Sequence, residues 1–213
     1  EFNVPYVVTN DDVEAVSSQY PVQECEKIGD TPMLGCMNGL FATEHGDGGI
    51  LPIHMSLKTL CDETTGNLGD VMVDSLNAAK AYIRQNHTEN LPPISCHISD
   101  AAIPKDGPSA GLAMALAIMS LLTNQKLRHD IACTGELAVT GEVRRVGGIY
   151  DKLYGALRAG VTYIILPDSN YQDYTRAVKD YPKLKTISVS FVKTIGDINL
   201  DKIFIQTIKL EAS

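Results

Sequence analysis

Apolar positions recur along the chain with two different periods, and the switches between them outline a series of strands and helices. From Met33 to Leu57 the pattern predicts two extended runs, over about 34–42 and 49–57, joined by the turn-rich EHGDGG. In TTGNLGDVMVDSLNAAKAYIRQN, residues Leu68, Val71, Met72, Leu76, Ala79 and Ile83 fall at spacings of three and four, which predicts a helix with one apolar face. LPPISCHIS reads as a strand whose start is marked by Pro92 and Pro93. LAMALAIMSLL is apolar on nearly every side, as a helix buried all round must be. IACTGELAV predicts a strand, TGEVRRVGG a turn, and DKLYGALRAG a short helix stopped by Gly160. VTYIILP is a buried strand ended by Pro167, and Asp168 and Ser169 are placed to cap a helix through Val178. TISVSFV predicts another strand and DINLDKIFIQTI a closing helix. Mixed strands and helices without an evident linker predict one compact α/β (α+β) unit over 31–213, after a polar lead-in over 1–30. A weak boundary signal lies near residue 90.

Composition narrows the function classes. The 213 residues suffice for one substantial core or two small ones. A net charge of −8 argues against tracking nucleic-acid phosphates, which takes a basic stripe. No apolar run reaches the length of a membrane span, and EFNVPYVVTND has neither the basic nor the apolar region of a secretory signal. The five cysteines, Cys25, Cys36, Cys61, Cys96 and Cys133, are odd in number, widely spread and form no C-x-x-C pair. Zinc and redox motifs are therefore not expected. Cys96 and Cys133 fall in apolar strands as small core residues, and a reducing intracellular compartment is the expectation.

One loop carries candidate chemistry. PKDGPSAG, from Pro104 to Gly111, joins a strand to the most apolar helix. Pro108 suits a first helical turn, whose N–H groups lack intrahelical partners and can stabilise an anion. A hydroxyl at Ser109 would have such donors beside any oxyanion it generated. The ordinary alternative is a serine near a helix cap, with Gly107 and Gly111 serving packing.

A serine nucleophile needs a base. His45, His54, His87, His97 and His129 leave a Ser-His-Asp arrangement open. Lys152 is more informative. On a helix through GGIYDKLYGALRAG, residues Ile149, Lys152, Leu153, Ala156 and Leu157 share one face, with Asp151, Tyr154, Gly155 and Arg158 on the other. A lysine in an apolar stripe is either paired, neutral or snorkelling to water. If buried, its pKa falls, and a neutral amine can take a proton from serine.

The order PKDGPSAG, TGE, then GEVRRVGGIYDKLYGALRAG, resembles the proteolytic domain of Lon proteases, ATP-dependent Ser-Lys peptidases. TTGNLGDVMVDS, NGLFAT with GGILPIHMSL, and AGVTYIILP extend the resemblance over about 33–191. It implies the compact Lon proteolytic fold, which resembles the second domain of ribosomal protein S5. It also implies Ser109 as nucleophile, Lys152 as general base, Thr134 as a residue orienting the lysine, and Asp106 as a residue shaping or gating the serine loop. For Thr134 a packing role in a strand, and for Asp106 a bond to its own backbone, remain the ordinary alternatives. The backbone N–H of Ser109 is the implied oxyanion donor. Departures occur at Ala42, where the family commonly has tryptophan, at His54 and Asp74, where glutamate is common, and in SCHISDAA, which keeps His97 and has Asp100 for glutamate.

The resemblance implies a serine endopeptidase acting on unfolded or unstructured polypeptides, in hexameric rings, in the cytoplasm or mitochondrial matrix. There is no GxxxxGK[ST] loop, so ATP and magnesium would belong to a separate ATPase domain of a parent chain, and no metal or cofactor is expected here. No membrane or nucleic-acid contact is expected of this domain. Two other functions are weighed: a small-molecule phosphotransferase cradling phosphate in the serine loop, with Asp106 or Glu136 on magnesium, and a non-catalytic family member.

Overall fold

The computed structural model describes Thr9, Asp12 and residues 26–99 and 103–205. The first two predicted strands form a hairpin, β1 (Cys36–Ala42) against β2 (Gly48–Leu57), with Cys36 opposite His54 and Ala42 opposite Gly48. Then follow β3 (Glu63–Thr65), α1 (Asp70–Asn86), β4 (Ile94–Ile98), and a 3-10 turn (Pro108–Ala110) running into α2 (Gly111–Thr123). β5 (Ile131–Cys133), the short pair β6 (Glu136–Leu137) and β7 (Val143–Arg144), and α3 (Ile149–Ala159) complete the middle of the chain. The last elements are β8 (Tyr163–Pro167), α4 (Tyr171–Asp180), β9 (Ser188–Val192) and α5 (Leu200–Ile203).

Seven strands make one mixed sheet in the order β3-β4-β2-β1-β5-β8-β9, and β6 and β7 pair separately. The β1–β2 and β2–β4 pairings are antiparallel; β3–β4, β1–β5, β5–β8 and β8–β9 are parallel. Side chains alternate between faces, so each central strand supplies two cores. Met37, Ile53, Cys96, Cys133 and Ile165 face α1 and α2. Leu40, Ile50, Ala132, Ile164 and Leu166 face α3 and α4. The result is the α/β architecture expected, with helices on both sides of the sheet. β4, beyond residue 90, pairs with β2, so the strands on either side of that weak boundary signal share one sheet.

Every residue from Gly111 to Ser120 is buried, as the all-round apolar pattern of α2 requires. Cys96 and Cys133 are fully enclosed and free, and burial pushes the Cys96 thiol up to about 12 and that of Cys133 further. Cys25 and Asp100 lie outside the described residues, as does most of the lead-in over 1–30. Of that lead-in, the Ile28 N–H donates to the Ala159 carbonyl, which ties it to the end of α3.

Four expectations need correction. Glu63–Thr65, where the helix pattern was to begin, pairs as a strand with β4, and α1 starts only at Asp70. The run IACTGELAV does not continue as one strand: after Cys133 the chain leaves the sheet, and Glu136–Leu137 pairs with β7. That partner, Val143–Arg144, lies in the predicted turn. The closing helix is confined to Leu200–Ile203 because the next residues bond elsewhere: Phe204 bridges Leu127, and the Ile205 N–H donates to the Lys126 carbonyl. Residues 206–208 of that predicted helix lie outside the described residues.

Candidate active site

The serine loop is held before it reaches the serine. Lys105 lies alongside Leu68 as a parallel bridge, its N–H donating to Asn67 O (3.0 Å) and its carbonyl accepting from Gly69 N (2.8 Å). Asp106 Oδ1 accepts from the N–H of Met72 and from that of Gly107, both at 2.9 Å. Asp106 therefore caps the first turn of α1, where the preceding Gly69 has no side chain to do so. It also bonds its own neighbour's backbone, the ordinary role weighed for it. Gly107 has φ +131°, a conformation only glycine adopts readily, and this turns the chain into the 3-10 turn. Ser109 sits at the centre of that turn, half-buried. Its carbonyl accepts from Gly135 N at 2.9 Å and from the Thr134 hydroxyl at 3.4 Å.

Lys152 approaches from the other side of the sheet. α3 buries Ile149, Lys152, Leu153, Gly155, Ala156 and Ala159, so Gly155 belongs to the inner face rather than the outer one, and Leu157 is half-buried. The reason is close contact: a Cβ on Gly155 would lie 2.2 Å from the backbone of Gly48, and one on Gly48 would lie 2.0 Å from the Asp151 carbonyl. Two glycines let α3 rest directly on β2. Lys152 is 4% exposed and its Nζ donates to Thr134 Oγ1 at 3.1 Å. Burial pushes its pKa down to about 8.

Thr134 is fully enclosed and joins the two candidates, accepting from the lysine amine and donating to the serine carbonyl. No hydrogen bond is found between Ser109 Oγ and Lys152 Nζ, but both side chains line one cavity of about 1000 Å³ with Phe41, Met72, Asp106 and Asp151. No histidine is among the described residues lining that cavity. His54 and His97 are cross-strand neighbours instead, with His97 Nδ1 at 2.8 Å from Thr65 Oγ1. Burial, then His97, holds the His54 pKa below its ordinary value. Glu136 lies outside the cavity lining, 3.6 Å from Arg144. The sequence did not single out Gly135, whose N–H and carbonyl hold Ser109 O and Leu112 N, nor the Gly48–Gly155 contact.

The chain is similar in sequence to known proteins. Residues 7–205 match the family described as the Lon protease (S16) C-terminal proteolytic domain. The Lon protease of Fusobacterium nucleatum is 42% identical over 145 residues, covering 63% of this chain and 18% of the relative. Lon protease 1 of Thermus thermophilus is 36% identical over 206 residues, 90% of this chain and 25% of its own length. That of Trichlorobacter lovleyi is 38% identical over 179 residues, 78% of this chain and 21% of its own. The chain thus spans about a fifth to a quarter of the curated relatives it matches. With its mixed α/β sheet and its serine loop and lysine helix on one cavity, the chain belongs to the Lon proteolytic-domain family and is a serine peptidase domain.

Proposed function

We propose that Ser109 and Lys152 form the catalytic dyad of this domain and that it cleaves peptide bonds in unfolded or unstructured polypeptides. The observation that carries the dyad is Thr134, bonded at once to the lysine amine and to the serine carbonyl behind the one cavity that Ser109 and Lys152 both line. Neutral Lys152 accepts the hydroxyl proton as Ser109 Oγ bonds to the scissile carbonyl carbon. The resulting oxyanion takes hydrogen bonds from backbone N–H groups at the helix start, that of Ser109 among them. Lysine ammonium then protonates the departing amine, leaving an acyl-enzyme. A water gives its proton to Lys152 and attacks the acyl carbon; the ester C–O bond then breaks and Lys152 returns the proton to Ser109 Oγ. The direct Ser109–Lys152 hydrogen bond forms when the serine side chain turns toward the amine on substrate binding, as such bonds tighten in the Michaelis complex.

Thr134 orients the amine and Asp106 holds the serine loop on α1, each as a supporting residue. The family resemblance implies an ATPase domain using ATP and magnesium in a parent chain, for which the relatives' greater length leaves room. On the same family grounds we assign it to ATP-dependent protein quality control in hexameric rings. A cytoplasmic or mitochondrial-matrix location agrees with the free described cysteines, and no described helix is long and apolar enough to cross a membrane. The test is hydrolysis of a fluorogenic peptide by Ser109→Ala and Lys152→Ala chains. Each should lose about 10⁴-fold or more in kcat. A Ser109→Ala chain with full activity eliminates the mechanism.

A further inference from the structure

Asn170 ends the 3-10 turn Asp168–Asn170 that leads from β8 into α4, and it is fully enclosed. An amide side chain offers one acceptor oxygen and two donor hydrogens. All are used here. Oδ1 accepts from Val146 N at 3.0 Å, and Nδ2 donates to Val146 O at 2.9 Å and to Asp173 Oδ2 at 2.8 Å. Asp173 in turn receives Arg145 Nε at 3.2 Å and Nη2 at 2.9 Å. One side chain thus pairs with both backbone groups of Val146, as a neighbouring strand would, and Val146 belongs to none of the described strands.

What this grip holds lies between β7 and α3. The next residues, Gly147 and Gly148, have no side chains to anchor them. They line the active-site cavity on one side and a second cleft of about 670 Å³ on the other. Gly147 faces open space, whereas Gly148, at φ +67°, lies so close to Ala42 that a Cβ there would stand 2.6 Å from that side chain, so the wall rests on this contact and on hydrogen bonds. The Lys152 N–H closes onto the Gly148 carbonyl at 2.9 Å, so the first turn of α3 follows wherever Gly148 is placed.

We infer that Asn170 is a positioning residue for peptide hydrolysis: by clamping Val146 it fixes the wall Gly147–Gly148, the start of α3 and the reach of the Lys152 amine. The inference rests on the Ser109–Lys152 dyad proposed above. Asn170 touches neither substrate nor the reacting atoms, and its effect passes through the lysine alone. Loosening the clamp displaces the base and admits water to it, which favours the ammonium form and moves the rise of kcat to higher pH.

The test measures steady-state hydrolysis of a fluorogenic peptide against pH, with thermal unfolding, for the wild-type chain and for Asn170→Ala, Asn170→Asp and Asp173→Ala. Asn170→Asp keeps the acceptor for Val146 N and loses the donors to Val146 O and to Asp173; Asp173→Ala removes only the outer tie and serves if the inner variants do not fold. In chains still folded at the assay temperature, kcat should fall by about tenfold to a hundredfold for Asn170→Ala with KM unchanged. Its pH profile should move upward, and Asp173→Ala should move it less in the same direction. A folded variant with wild-type kcat and pH profile overturns the inference. So does a loss that merely follows the unfolded fraction with the profile unmoved. Lys152→Ala is the control: if it retains activity the dyad itself fails, whereas its inactivity with a normal Asn170→Ala removes the clamp alone.

Discussion

An ammonium group withdrawn from water is costly, so a lysine that is 4% exposed, with a threonine hydroxyl as its hydrogen-bond partner among the described residues, is held toward its neutral form. Burial brings the Lys152 pKa to about 8, below its ordinary value. The consequence for stability has a definite sign. The unfolded chain binds the lysine proton more tightly, so stability rises with pH from about 8 up to the free lysine value and stays at its reduced level below that window. Replacing the side chain with an apolar one of similar length removes this penalty. Lys152→Met should therefore raise Tm near neutral pH by about 2–8 °C, read by thermal unfolding, while abolishing hydrolysis. An unchanged or lowered Tm would show that the amine is not held at a cost. The lysine was legible from sequence because a cation in an apolar stripe breaks the pattern. Thr134 came only with the family resemblance, since a β-branched residue in a strand carries no mark by itself of the two bonds it makes. Asn170 was hidden too, as two of its three bonds go to the backbone of Val146, far along the chain.

The elements that the sequence predicted best are those with their own period, such as α2, apolar all round, and α3, which stops at Gly160. Those it missed depend on distant partners. β3 exists because β4 lies beside it, and β6 because β7 does. The break after Cys133 is instructive. The Thr134 N–H still donates to Ile165 O in the sheet, but the Gly135 N–H turns away to Ser109 O. Leaving the sheet is how the strand comes to hold the serine, so the error in strand length falls at the site itself. The contact of α3 on β2 carries a prediction at this scale. Gly155→Ala would place a methyl within 2.2–2.3 Å of the backbone of Gly48 and Gly49, which cannot swing aside as a side chain can. The variant should lose about 1–3 kcal/mol or more in denaturant unfolding, and its kcat should fall as α3 lifts Lys152 from Thr134. Wild-type stability and activity would contradict the close approach.

At the scale of the molecule, one sheet carries two cores and delivers a residue from each side to a common cavity, the serine from the α1–α2 side and the lysine from the α3–α4 side. The α/β class and the family were legible in the sequence; the assignment of helices to faces came only with strand order. The proposed ring assembly predicts self-association, and light scattering should give a mass above that of one chain, rising with concentration. A monomer at all concentrations would contradict self-association of this domain. The dyad is tested most directly by the rate at which a fluorophosphonate labels Ser109, followed by mass spectrometry as a function of pH in wild-type and Lys152→Met chains. Labelling of the wild type should rise through an apparent pKa near 8, and the variant should label about 10³-fold more slowly without that rise. Equal rates with the same pH profile in both chains would contradict a serine activated by a neutral, buried lysine.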